Sequence, residues 1–134
     1  MLNKSKAFYE RELERLFSHS AKEIKQRALL RQSRAYMESN FEDNIDSSAL
    51  AKAALMSRFH YVRMFKQLYG VTPRHYLRDL RISKAKVFLK EGKSITDTCF
   101  EVGYESVTTF SSVFKKCTGL SPRDFQARHK SNLE

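Results

Sequence analysis

Apolar residues along this 134-residue chain recur at three- and four-residue spacing rather than in alternation, and only 4 Gly and 2 Pro punctuate them. That periodicity predicts an all-α chain. Phe8, Leu13, Leu16 and Phe17 form a first stripe and Leu29, Leu30, Tyr36 and Met37 a second, with a break expected around Ser18–Ala21. The polar, acidic run from Asn40 to Ser48 reads as a loop in which Asp46 or Ser47 caps a short helix carrying Leu50, Ala51 and Ala54. Thr72-Pro73 and Ser121-Pro122 each place a hydroxyl at an N-cap and a proline at the first helical position, where its missing N–H costs nothing. The first of these helices should run from about Arg74 to Glu91, roughly 27 Å long, and Gly92 is placed to end it in the left-handed conformation. Ser94 opens another helix, with Asp97 three residues on as in a capping box.

Displacing the chain by 49 residues superposes Met56–Leu77 on Glu105–Gln126. Ser57, Phe65, Lys66, Gly70, Pro73 and Arg74 meet identical residues at Ser106, Phe114, Lys115, Gly119, Pro122 and Arg123, while Tyr61/Phe110, Val71/Leu120, Thr72/Ser121 and Tyr76/Phe125 match in kind. The repeated unit is a short helix, a tight turn, and a second helix with apolar residues at Tyr61, Met64, Phe65 and Leu68, then at Phe110, Val113, Phe114 and Cys117. That is the layout of a helix-turn-helix, whose second helix enters a DNA major groove. Two stacked helical hairpins would give the same repeat, but they have no need of Arg58, Arg63 and Lys66 opposite the apolar stripe. In the second copy Gly103 supplies a residue able to take positive φ in the turn. The first copy has Ala54-Leu55-Met56 there and must close its turn without glycine.

Charge sharpens the picture. Lys and Arg total 25 against 15 Asp and Glu, a net +10 with a pI near 9.8. Residues 57–93 hold 10 basic and 2 acidic residues, whereas 1–56 hold 10 and 8, and 94–134 hold 5 and 5. Such concentration points to a polyanion, nucleic acid before an anionic membrane surface. No apolar run approaches the ~18–20 residues that cross a bilayer, and the first residues lack a secretory apolar region. The expected setting is the cytoplasm, associated with a bacterial nucleoid. Cys99 and Cys117 read as small core residues, with a redox pair as the other reading. His60 and His75 have no second ligand at metal spacing, and no Ser/His/Asp or paired-carboxylate constellation is present. No cofactor, metal or catalysis is expected.

Residues 28–128 resemble the DNA-binding domain of AraC/XylS-type transcription regulators. The second copy carries the likeness through Ser94-Ile95, Val102-Gly103-Tyr104, Phe110-Ser111, Val113 to Lys116, Gly119 and Ser121-Pro122. The first does so through Leu50-Ala51, Met56-Ser57, His60, Arg63, Phe65-Lys66, Gly70 and Thr72-Pro73. The resemblance implies two tandem, homeodomain-like helix-turn-helix subdomains, at 27–73 and 93–134, joined by a long connecting helix at 74–92. Residues 1–26 would add an N-terminal helix or linker. It also implies double-stranded DNA as partner, and contact with RNA polymerase. Grooves on one face of DNA recur every ~34 Å, so a connector of roughly 27 Å plus its turns has the right scale. No small-molecule effector domain is visible. The chain reads as a stand-alone monomer or weak dimer, which its initial Met favours, or as the C-terminal piece of a longer regulator.

In the first recognition helix Arg58, Phe59, Val62 and Arg63 are the candidates for base edges. Arg63 leads because its planar fork can bridge O6 and N7 of guanine, phosphate contact being its alternative role. The second offers Val107, Thr108, Ser111 and Ser112, with Ser112 where the family often has Arg. Phosphate contacts are expected from Ser57, His60, Lys66, Thr72, Arg74, Ser106, Thr109, Lys115 and Lys116. The neutral third segment predicts that the first copy dominates sequence specificity while the second clamps phosphates. A non-specific architectural or anionic-surface protein, using the central charge alone, is the competing reading.

Overall fold

The computed structural model describes residues 2–133, with side-chain surroundings described over 6–130. Among the described residues there are seven helices and no strand: α1 (Leu2–Ser39), α2 (Ser47–Ala53), α3 (Arg58–Tyr69), α4 (Pro73–Lys90), α5 (Ile95–Glu101), α6 (Val107–Thr118) and α7 (Pro122–Leu133). The caps form where hydroxyl and carboxylate side chains were expected. Asp46 accepts from the Ser48 N–H, Thr72 from His75, Ser94 from Asp97 and Ser121 from Asp124.

The expected break at Ser18–Ala21 is absent. α1 runs through it as a single 38-residue helix, because neither Gly nor Pro interrupts its hydrogen-bond ladder and serine alone does not stop a helix. The boundary expected after residue 26 therefore falls inside a helix.

Two separate cores flank α4. Leu30 and Met37 of α1, Leu50 and Ala51 of α2, Ala54 of the turn, Tyr61 and Phe65 of α3, and Leu77 of α4 close the first. Ile82, Ala85 and Leu89 of α4 join Cys99, Val102, Phe110, Phe114 and Phe125 in the second. One continuous helix thus gives its first half to one core and its second half to the other. Within the first core the Tyr61 hydroxyl and the Ser33 hydroxyl are hydrogen-bonded to each other, tying α3 to α1. Burial pushes the Tyr61 hydroxyl above its ordinary pKa.

The apolar stripes of α3 and α6 bury less than their spacing predicts. Tyr61, Phe65, Phe110 and Phe114 are fully buried, but Leu68 and Cys117, the last member of each stripe, are exposed. In the last turn of α3 it is Tyr69, its ring centroid 4.7 Å from that of Phe65, and not Leu68, that packs against the first core. Cys117 is a surface residue, and only Cys99 fills the core role expected of both.

The two tight turns have the same backbone. The Met56 N–H donates to Ala51 O and the Tyr104 N–H to Cys99 O, both at 3.0 Å, closing a left-handed helix end in each copy. In the second copy Gly103 takes φ +102; in the first Leu55 takes φ +58. A left-handed leucine costs about 1–2 kcal/mol, and Leu55 is 75% exposed, so burial does little to offset that cost. Leu55→Gly is expected to stabilise the fold by about 0.5–1 kcal/mol after the extra chain entropy of glycine. An unchanged or lower urea midpoint would count against this account of the turn.

Candidate nucleic-acid interface

Ser57 and Ser106 start the second helix of each helix-turn-helix, accepting from the His60 and Thr109 N–H groups at 3.2 and 3.3 Å. Both hydroxyl hydrogens stay available to donate to a phosphate oxygen. Gly70 and Gly119 end these helices at φ +81 and +84. On α3 the side chains of Arg58, Phe59, Arg63 and Lys66 are exposed, Phe59 at 91%. A phenylalanine left almost wholly in water within a folded subdomain marks a surface built for contact. On α6 Thr108, Thr109, Ser112, Lys115 and Lys116 are exposed and Ser111 is half-buried.

Three candidates sit differently from expectation. Val62 and Val107 are half-buried and pack against the first and second cores, so only part of each side chain faces outward. His60 turns toward α1, where Gln26 Nε2 lies 3.3 Å from its Nε2, and Arg63 Nη2 lies 3.5 Å from its Nδ1. Both neighbours are donors and a neutral imidazole accepts at one nitrogen only, so the half-buried His60 ring accepts from Gln26 or from Arg63 but not from both at once.

Between the copies, α4 and α6 enclose a cleft of about 450 Å³ whose lining includes Arg74, His75, Arg78, Thr109, Lys116 and Cys117. Arg74 and Arg78 stand one helical turn apart on α4 and so share a face. Arg74, Thr109 and Lys116 were expected from the sequence as phosphate contacts; Arg78 was not. The clue to Arg78 was the excess charge of residues 57–93, which does not end with α3.

What holds the two copies in register is Arg81. Its Nε donates to Phe41 O and its Nη2 to Asp43 O, each at 2.7 Å, while its guanidinium lies 5.5 Å from the Tyr104 ring centroid. A residue of α4 therefore fastens the loop of the first copy to the turn of the second. Burial lowers the Arg81 pKa and raises that of Tyr104, the latter partly offset by the neighbouring guanidinium. Phe41 packs against both cores, and Lys84 Nζ lies 5.8 Å from its ring centroid. Neither Phe41 nor Arg81 carries a signal in the sequence, since both act between segments 40 residues apart.

The comparisons point to the same class of domain. Residues 50–128 match the family model described as a helix-turn-helix domain. The chain belongs to the AraC/XylS-type helix-turn-helix family. Among curated relatives, the HTH-type transcriptional activator RhaS of Escherichia coli is 34% identical over 93 residues, which is 69% of this chain and 34% of RhaS. The chain thus spans about a third of the length of that relative. Among solved structures, the C-terminal domain of the response regulator AraT from Geobacillus stearothermophilus superposes with a TM-score of 0.71 at 28% identity, covering 75% of this chain and 84% of that one. The DNA-binding domain of the global transcriptional factor AdpA, in complex with a target DNA, superposes at 0.74 and 25% identity, covering 77% and 94%. AraC/XylS-type relatives are DNA-binding transcription regulators, a non-enzymatic class. No helix among the described residues of this family member is long and apolar enough to cross a membrane.

Proposed function

We propose that this AraC/XylS-type chain is a sequence-specific regulator of transcription that inserts α3 and α6 into successive major grooves of double-stranded DNA. The observation that carries this reading is the shared helix. Because α4 contributes Leu77 to one core and Ile82, Ala85 and Leu89 to the other, the two recognition helices cannot move independently without breaking a core. The neighbouring domain solved on its target DNA supports the same partner for this one. Its place of action is the bacterial nucleoid, and contact with RNA polymerase belongs to the same reading.

Base readout is assigned to Arg58, Phe59, Val62 and Arg63 on α3, and more weakly to Val107, Thr108, Ser111 and Ser112 on α6. Phosphate contacts fall to Ser57, Lys66, Thr72 and Arg74, and to Ser106, Thr109, Lys115 and Lys116. The sugar-phosphate strand between the grooves lies over the α4/α6 cleft, where Arg74, Arg78 and Lys116 supply charge without sequence preference.

Selection of preferred duplexes from a random pool tests the reading. Two preferred blocks one helical turn apart are expected, the block under α3 more sharply defined. Enrichment of no sequence, with affinity lost uniformly as salt rises, would replace specific recognition by electrostatic binding alone. Lys66→Ala should weaken all duplexes alike and reduce the slope of log affinity against log salt by about 1. A loss confined to one base position would move Lys66 from phosphate to base contact.

A further inference from the structure

Residues 6–25 of α1 pack against no other helix among the described residues. From Lys6 to Lys25 every side chain except Glu12 is exposed, and packing begins only at Gln26. Six of the chain's exposed large apolar residues lie in this stretch: Phe8, Tyr9, Leu13, Leu16, Phe17 and Ile24. At 3.6 residues per turn, Tyr9, Leu13, Leu16, Phe17 and Ile24 fall within roughly 100° of arc. That stripe is turned about a third of a revolution from the face that carries Leu30, Ser33 and Met37 into the first core. It is a second apolar face on one continuous helix. A helix of this kind depends on burial of its apolar face for most of its stability.

We infer that this stripe is a homodimer interface, with α1 of a second copy as its occupant. The five side chains are 45–72% exposed. Covering them would remove roughly 500 Å² per copy, about 1,000 Å² for the pair, which reaches the area a specific interface needs. Residues 6–25 hold five basic and four acidic side chains. Two copies can therefore approach here without the repulsion that the strongly basic 57–93 stretch would impose. The same near-neutrality gives little attraction to an anionic lipid surface, which the central charge would otherwise recommend. A straight stripe is also self-complementary about a two-fold axis, so pairing closes at two copies. The α1 pair lies outside both helix-turn-helices, and a dimer would present four recognition helices where the monomer presents two.

Sedimentation equilibrium of the full chain without DNA tests this independently of the DNA reading. The expected mass rises toward twice 15.7 kDa with concentration. The double variant Leu13→Glu, Leu16→Glu should weaken association by roughly tenfold or more, because it places charge in a buried seam. Both positions are exposed in the single chain, so thermal unfolding and DNA selection by the variant should match the parent at concentrations where both are monomeric. A parent that stays monomeric throughout, or a variant that associates as well as the parent, would overturn the assignment. So would a monomeric parent that co-sediments with phosphatidylglycerol vesicles through the same two leucines.

Discussion

Gly103→Ala is expected to destabilise the protein by about 3 kcal/mol, a fall of roughly 10 °C in melting temperature. Part of that loss comes from the backbone, since φ +102 suits few residues with a side chain. The larger part comes from space. A Cβ at this position would lie 2.9 Å from the Glu42 carbonyl oxygen and 3.0 Å from the Arg81 guanidinium. Relieving the contact means moving the loop that Arg81 holds through Phe41 O and Asp43 O. The substitution should therefore also change how the two helix-turn-helices face one another. Binding to a duplex carrying both blocks should fall more than binding to either block alone. Gly70→Ala is the control: its φ is also positive, at +81, but its Cβ would meet nothing within 4 Å. It should cost only about 1 kcal/mol. Equal losses in the two variants, followed by calorimetry, would refute the part given to the contact with Glu42 and Arg81.

Arg63→Ala is expected to lower affinity for the preferred duplex by about 1–3 kcal/mol, roughly 5- to 150-fold, and to relax preference at one base position under α3. Arg63 Nη2 already lies 3.5 Å from His60 Nδ1, so less freedom is lost when the guanidinium meets a base edge. Thr108→Ala on α6 should cost much less and blur no base position, because a single hydroxyl contact is weaker than a bidentate one and Ser112 stands opposite Arg63 in the repeat. Competition binding against single-base variants of the selected duplex separates the two. Equal losses of specificity would refute the unequal division of labour between the copies.

Much of this architecture is legible in local chemistry. Caps at Asp46, Ser57, Thr72, Ser94, Ser106 and Ser121, prolines at the first helical position, and glycines at 70, 92 and 119 mark helix ends through interactions spanning a few residues, which a sequence displays directly. Phe59, Arg63 and Lys66 were readable as outward because Tyr61 and Phe65 had to be inward on the same helix, whereas Arg58 shares the spacing of those two and is exposed at the first position of α3. The misreadings have a different character. Leu68 and Cys117 follow the apolar spacing but are exposed, because which residue of the last turn a core takes, Tyr69 in α3, depends on the helices packed against it. Val62 and Val107 sit at the margin of the buried arc, where spacing alone cannot decide. The serine-rich stretch at 18–20 looked like an interruption, yet nothing in it opposes a helical backbone.

The sequence by itself determined the all-α class, the repeat, the turns and the charge that points to DNA, because each follows from backbone geometry or from counting residues. Only the tertiary structure decided how the copies are joined. The Arg81 clamp, the packing of Phe41 against both cores, the turn of His60 toward Gln26 and the unpartnered face of α1 all depend on which distant segments meet. The space around Gly103 is the clearest case: its positive φ could be expected from a turn six residues long, but the Glu42 carbonyl that a Cβ there would meet is brought close only by the tertiary fold.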